Sequence, residues 1–153
     1  MNELKKYKFV FSWILKNKLA VGSSPLKQEN IAYLQRKGIK NILGLCLESE
    51  VAWGDNISRN FSCERIFIPD SKSDSLPNFE DLTKILNKLH EYLGNGATFV
   101  HCFASVERSP LICIAWLIRH ESLTIKQSLD YLMKVNRRTC PSANQLKLLE
   151  DFI

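Results

Sequence analysis

"ATFVHCFASVERSPLICIAWLI", residues 97–118, decides how this chain folds. Residues 97–100 form a short β-type run that ends at His101-Cys102. Five residues separate Cys102 from Arg108, and Ser109, Pro110 and "LICIAWLI" (111–118) follow. Residues 109–120 are apolar on nearly all sides, which predicts a helix buried on every face. A strand that enters a buried helix through a tight loop is a repeating unit of layered α/β folds.

Outward from this stretch the same alternation holds. "KLAVG" (18–22) reads as a strand, and Ser24-Pro25 then predicts a cap for a helix over 26–37 that stops at Gly38. "IKNILGL" (39–45) reads as a buried strand, and "RIFI" (65–68) as a short one. Residues 46–62 read as a loop with one irregular helical turn, and "PDSKSDSLP" (69–77) as a turn-rich loop. Phe79, Leu82, Leu86, Leu89 and Leu93 recur at helical spacing, predicting a helix over 78–93 ended by Gly94 and Gly96. Thr124-x-x-Gln127 and Ser142-x-x-Gln145 are capping boxes that open two further helices. The expected fold is α/β, with a central, mostly parallel sheet of 4–5 strands flanked by helices, in one domain over 1–153.

Bulk properties narrow the classes. The chain has 153 residues, 45% hydrophobic and 24% charged, an ordinary globular balance. Its formal charge of +5 favours anionic partners without any long basic run, and nothing in it reads as nucleic-acid recognition. "LICIAWLI" is too short to span a bilayer, and the N-terminal apolar patch is closed by Lys16 and Lys18 with no cleavage site of the Ala-x-Ala kind. Five cysteines at irregular spacing, with no Cys-x-x-Cys, argue against zinc and against a disulfide framework. The expectation is a cytoplasmic monomer with no cofactor, no metal and no membrane association.

The Cys102–Arg108 spacing acquires meaning from its setting. Cys113 and Arg119 have the same spacing, but the five residues between them lie on the buried helix, whose backbone N–H groups are consumed internally. Cys113 therefore reads as a packed core thiol. The loop after Cys102 instead sits between strand and helix, where successive N–H groups can converge on an anion. The helix N-terminus adds positive potential, and Arg108 can offer two parallel donors to a phosphoryl group. A thiol in such a field ionises more readily and becomes a nucleophile.

"HCFASVERS" resembles the His-Cys-x5-Arg-Ser/Thr signature of cysteine-dependent phosphatases, specifically the compact dual-specificity type. "KLAVGSSP", "GIKNILGL", "IPD", "SLDYLMKVNRR" and "PSANQLKLLEDF" extend the likeness over roughly 10–152. The resemblance implies a phosphatase that acts on phosphoprotein or small phosphorylated substrates without a metal. It implies Cys102 as nucleophile, Arg108 and the amides of Phe103, Ala104, Ser105, Val106 and Glu107 as the phosphate cradle, and Ser109 as hydrogen-bond donor to the sulfur. Asp70, 32 residues before Cys102, is the expected general acid, with Asp74 the alternative. His101 is expected to orient Cys102. Cys46, ending "NILGLC", is a candidate redox partner, against the simpler reading of a buried small hydrophobe. His90 and His120 read as surface or helix-end residues, and Arg137 and Arg138 as supports of the fold, with the lining of an anionic substrate's approach as the alternative.

Two positions depart from the family pattern. Ser105 stands where the family has Gly, which predicts strain if that backbone is left-handed. Glu107 places a carboxylate in the loop, and the expectation is that it points outward or pairs with a base. These departures motivate an alternative, a phosphate-binding module with little catalysis. A rhodanese-like sulfur-transfer loop is less well matched, because such loops place the arginine one residue closer.

Overall fold

The computed structural model describes residues 8–73 and 75–153. Five strands, β1 (Phe11–Leu15), β2 (Leu19–Gly22), β3 (Asn41–Gly44), β4 (Ser62–Arg65) and β5 (Thr98–His101), form one sheet. Its order is β1-β2-β5-β3-β4. β1 is antiparallel to β2, and every other pairing is parallel. Among the described residues the α-helices are α1 (Gln28–Arg36), α2 (Asp55–Asn60), α3 (Phe79–Asn95), α4 (Arg108–Glu121), α5 (Ile125–Val135) and α6 (Ala143–Phe152). This is the α/β fold with a mostly parallel sheet that the sequence predicts.

β5 is the central strand, flanked on both sides, and its four residues are all buried. One core lies between the sheet and α3–α6, with Val100, Leu86, Leu111, Ile114 and Leu132 fully buried in it. A smaller one, with Phe99, Ile42, Ile31 and Leu34, lies on the opposite face under α1 and α2. Alternation along β5 sends Phe99 and Val100 to opposite cores, as the two-residue period of a strand requires. α4 is buried along ten consecutive residues, Arg108 to Leu117, which explains its apolar circumference.

Three expectations need correction. β1 is absent from the sequence reading because its "FSWIL" lies in a patch flanked by lysines. It exists because a tight hairpin with Asn17 at φ 62° returns the chain onto β2, a conformation Asn tolerates. β4 is Ser62–Arg65, not the apolar 65–68. The ladder with β3 uses the half-exposed residues of an edge strand. The apolar residues run past the strand end, where Ile68 is fully buried and its N–H donates to Leu45 O at 3.1 Å. Finally, α1 starts at Gln28 with Lys27 as its N-cap in place of Ser24; the Ser24 hydroxyl is used in the site below. The capping boxes at Thr124 and Ser142 form as expected, and Gly38 ends α1 at φ 82°.

Candidate active site

β2, β3 and β5 run parallel, and their C-terminal ends meet at one rim of the sheet. Ligands of open α/β sheets bind at that rim, and Cys102 sits there immediately after β5. The loop 102–107 then delivers the chain into α4. A cavity of about 250 Å³ opens over it, lined by Asp70, Lys72, Cys102, Phe103, Ala104, Val106, Glu107 and Arg108. Cys102 is 3% exposed, and its Sγ lies 3.2 Å from Ser109 Oγ on the first turn of α4. Ser109 Oγ–H can also donate to Gly22 O at 3.4 Å.

Ser105 does not line this cavity. It is fully buried at φ 62°, the left-handed conformation for which the sequence predicts strain. Asn136, just beyond α5, holds it there: Nδ2 donates to Ser105 O and to Ser105 Oγ, both at 3.1 Å. The Cys140 N–H donates to Val106 O at 2.7 Å, a second tie between this segment and the loop. Glu107, half-exposed on the cavity wall, meets no base within ion-pair distance among the described residues, so of the two expected arrangements the pairing is not made.

His101 is fully buried beneath the loop. Trp53 Nε1–H donates to His101 Nε2 at 3.1 Å. An indole N–H is only a donor, so Nε2 must be the bare nitrogen and the proton sits on Nδ1. Nδ1 lies 3.1 Å from Cys102 O and 3.2 Å from Ser24 Oγ, and Ser24 Oγ–H donates to the same carbonyl at 2.8 Å. Burial first, then the charges of Arg65 and Arg108, push His101 down to about 4, so it is neutral near pH 7. Gly44 makes the meeting possible: a Cβ there would fall 2.7 Å from the Trp53 ring and 3.1 Å from His101 Nε2. The Arg65 guanidinium lies over the Trp53 ring, 4.1 Å from its centroid.

Arg108 is 5% exposed and is not free. Nη2 donates to Glu50 Oε1 at 2.9 Å and Nη1 to Glu50 Oε2 at 3.1 Å, with Ile68 O a longer acceptor at 3.4 Å. Burial alone would raise the Glu50 carboxyl, but the hydrogen bonds from Arg108 and from the Leu47 amide outweigh it and hold it below its ordinary value. Glu50 is thus a site residue the sequence did not announce. It lies in a stretch read as loop, and nothing in "CLESEV" distinguishes it from Glu48. Trp53, Ser24 and Asn136 were missed for the same reason: each acts through a contact far along the chain.

Asp70 borders the cavity. Its Oδ1 accepts the Lys72 N–H at 3.0 Å, an Asx turn that holds the carboxylate and leaves the second oxygen for other work. Asp74 lies outside the described residues. Cys46 is fully buried, with its Sγ 3.9 Å from Ser24 Oγ and 3.8 Å from Arg65 Nη1. Burial raises its pKa above that of an ordinary thiol. Cys113 is a buried core thiol whose pKa is likewise raised by burial. His90 and His120 are exposed at the opposite rim, where His120 stacks on Trp116 at 3.8 Å. Arg137 and Arg138 are exposed. Among the described residues no cluster of three His, Cys, Asp or Glu could hold a metal, and no helix is long and apolar enough to cross a membrane.

A thiol at a strand end, an arginine opening the next helix and a carboxylate on a facing loop are the arrangement that the resemblance to cysteine-dependent phosphatases implies. Comparison with known proteins agrees. The family described as "Dual specificity phosphatase, catalytic domain" matches residues 21–152, and the chain belongs to it. The phosphatidylglycerophosphate phosphatase PTPMT2 of Arabidopsis thaliana is 25% identical over 88% of this chain and 59% of its own length. The dual specificity protein phosphatase PHS1 of the same plant is 26% identical over 89% of this chain and 14% of its own length. The chain therefore spans little more than half of the first relative and a small part of the second. Among solved structures, Tk-PTP in its active form superposes with a TM-score of 0.81 at 19% identity, covering 93% of this chain and 95% of that one.

Proposed function

We propose that the chain hydrolyses phosphate monoesters through a cysteinyl-phosphate intermediate. The observation that carries the reading is the convergence on one cavity of Cys102, which follows β5, Arg108, which opens α4, and Asp70, on the loop before α3. The Cys102 thiolate attacks phosphorus, and the bond to the ester oxygen breaks. Asp70 gives that oxygen its proton. Water then attacks phosphorus, Asp70 takes the water's proton, and the S–P bond breaks to restore the thiolate. Ser109 Oγ–H stabilises the departing sulfur. The loop amides and the first turn of α4 hold the phosphoryl oxygens. Glu50 occupies the Nη1/Nη2 edge of Arg108, so the Nε–H edge of the guanidinium is the one offered to substrate.

Substrates of this reaction are phosphotyrosine, phosphoserine or phosphothreonine in proteins, or a non-protein phosphate. The similarity to phosphatidylglycerophosphate phosphatases keeps the last group in view. The chemistry needs a reduced Cys102 and so a reducing compartment, consistent with five free cysteines. Oxidation to a Cys46–Cys102 disulfide would protect the nucleophile; mass spectrometry of peroxide-treated protein tests this, and an absent linkage removes it.

Turnover of an aryl phosphate by wild type, Cys102→Ser and Asp70→Asn tests the assignment. Activity is expected to vanish in the first variant and to fall by roughly 10²–10⁴ in the second. The second reading, a binding module, has the engaged Arg108 and the serine at the glycine position in its favour. It predicts phosphopeptide binding without turnover in wild type.

A further inference from the structure

At the rim opposite the catalytic one, the β1–β2 turn and the C-terminal ends of α3 and α4 enclose a cavity of about 460 Å³, against about 250 Å³ at Cys102. That size falls in the range of small-molecule sites. Leu15, Leu93 and Trp116 make its apolar wall, and two imidazoles continue it. His120 stacks on Trp116 at 3.8 Å and 25°. His90 lies nearly parallel to His120, at 16° and 5.7 Å between ring centroids. Lys18 also lines the cavity, on fixed backbone: its N–H donates to Leu15 O at 2.9 Å and its carbonyl accepts the Thr98 N–H at 2.8 Å. Lys16 stands on the same turn. Lys40 packs against Gly96 of the wall, where a Cβ would fall 2.9 Å from Lys40 Cγ. Among the described residues Lys16, Lys18 and Lys40 make no ion pair, and neither does Glu121, the one carboxylate of the lining. Each helix C-terminus adds roughly half a negative charge, so the three lysines outweigh Glu121 and the two helix ends by about one unit.

We propose that this cavity is a second ligand site, for a one- or two-ring aromatic anion. Wall and charge each select one half of that ligand. Flat rings continue the stack that His120 already makes on Trp116, whereas an aliphatic anion would use the lysines and leave the ring faces idle. A neutral ring would leave the excess positive charge unmet, and a cationic one would be repelled by it. The site is separate from the catalytic cavity. α4 opens with Arg108 at one and ends with His120 and Glu121 at the other. Its 14 residues hold the two apart; at the rise of an α-helix that is roughly 20 Å. Binding here makes and breaks no bond, and it stands whether or not the chain hydrolyses phosphate esters.

Two probes that share a ring system and differ in charge test the site: naphthalene sulfonate and naphthol. Their dissociation constants would be measured by calorimetry on the full chain and on three variants. The sulfonate is expected to bind at one site per chain. Replacing both cavity lysines, Lys18→Ala with Lys40→Ala, should weaken the sulfonate by roughly fivefold or more and leave naphthol within about twofold. His120→Ala removes a stacking face and should weaken both probes by roughly three- to tenfold. Lys72→Ala, on the catalytic cavity, should leave both within about twofold. All of these side chains are exposed, so folding is retained, and thermal melting of each variant checks this. No saturable binding of the sulfonate overturns the site. So does equal weakening of the two probes in the lysine variant, since the lysines would then only shape the cavity. A sulfonate affinity that depends on Lys72, or that ignores Lys18, Lys40 and His120, places the probe elsewhere and overturns it as well.

Discussion

Ser105 holds a left-handed backbone, at φ 62°, in a position where glycine would be unstrained. The chain compensates with a side chain from elsewhere: Asn136 satisfies both oxygens of Ser105. Replacing Asn136 by Ala leaves a buried carbonyl without its donor, which should cost roughly 1–3 kcal/mol in urea denaturation and lower kcat/KM for an aryl phosphate. Ser105→Gly on that background should recover part of the stability by removing the strain; if it recovers none, the strain is not what Asn136 restrains. Glu50 invites a second test. Glu50→Gln breaks an ion pair whose arginine is nearly buried, and a loss of roughly 1–3 kcal/mol is expected, with weaker binding of inorganic phosphate because Arg108 loses its orientation. Tighter phosphate binding in that variant would show instead that Glu50 competes with the ligand.

At the scale of elements, α5 is what carries Asn136 to the loop, and its own N-terminus is closed by a reciprocal capping box, Thr124 Oγ1 with the Gln127 N–H at 3.1 Å and Gln127 Oε1 with the Thr124 N–H at 2.9 Å. Thr124→Ala should lower stability by about 1 kcal/mol in thermal or urea melts. The same helix reaches β1, where Tyr131 Oη–H donates to Ile14 O at 2.6 Å. β1 also contributes Phe11, stacked on Phe99 of β5 at 5.7 Å. The antiparallel strand thus covers one edge of the otherwise parallel sheet and helps bury the aromatic ring two residues before the buried histidine.

For the molecule as a whole, the buried His101 sets a pH dependence of stability. Its folded value of about 4 lies below the ordinary 6.5, so between those values the unfolded chain binds the proton and the folded one resists it. Stability should therefore be full above about pH 6.5 and fall as the pH is lowered toward 4. The size for this one group is on the order of 2–3 kcal/mol. Melting temperatures from pH 7.5 to 4 for wild type and His101→Asn check this; the extra acid sensitivity should be smaller in the variant. Equal slopes would show that carboxylates elsewhere carry the acid response.

What could be read from the chain alone was whatever depends on local order. The strand–loop–helix around Cys102, the capping boxes, the helical period of α3 and the glycine stop of α1 all arise from neighbours in sequence. Cys102, Arg108 and Ser109 could be placed at one strand end and one helix start because the loop between them is local, whereas Asp70, 32 residues earlier, was singled out by the resemblance and reaches the same cavity only through the fold. The antiparallel β1 and the shift of β4 were not, since pairing partners and edge position, rather than composition, decide them. Ser24 shows the difference most clearly. Its sequence context promised a helix cap, yet the fold carries it beneath β5 and its hydroxyl binds the Cys102 carbonyl, because a buried carbonyl must find a donor. Glu50, Trp53 and Asn136 follow the same rule: a buried guanidinium, a buried imidazole and a strained carbonyl each require a partner, and only tertiary packing determines which residue supplies it.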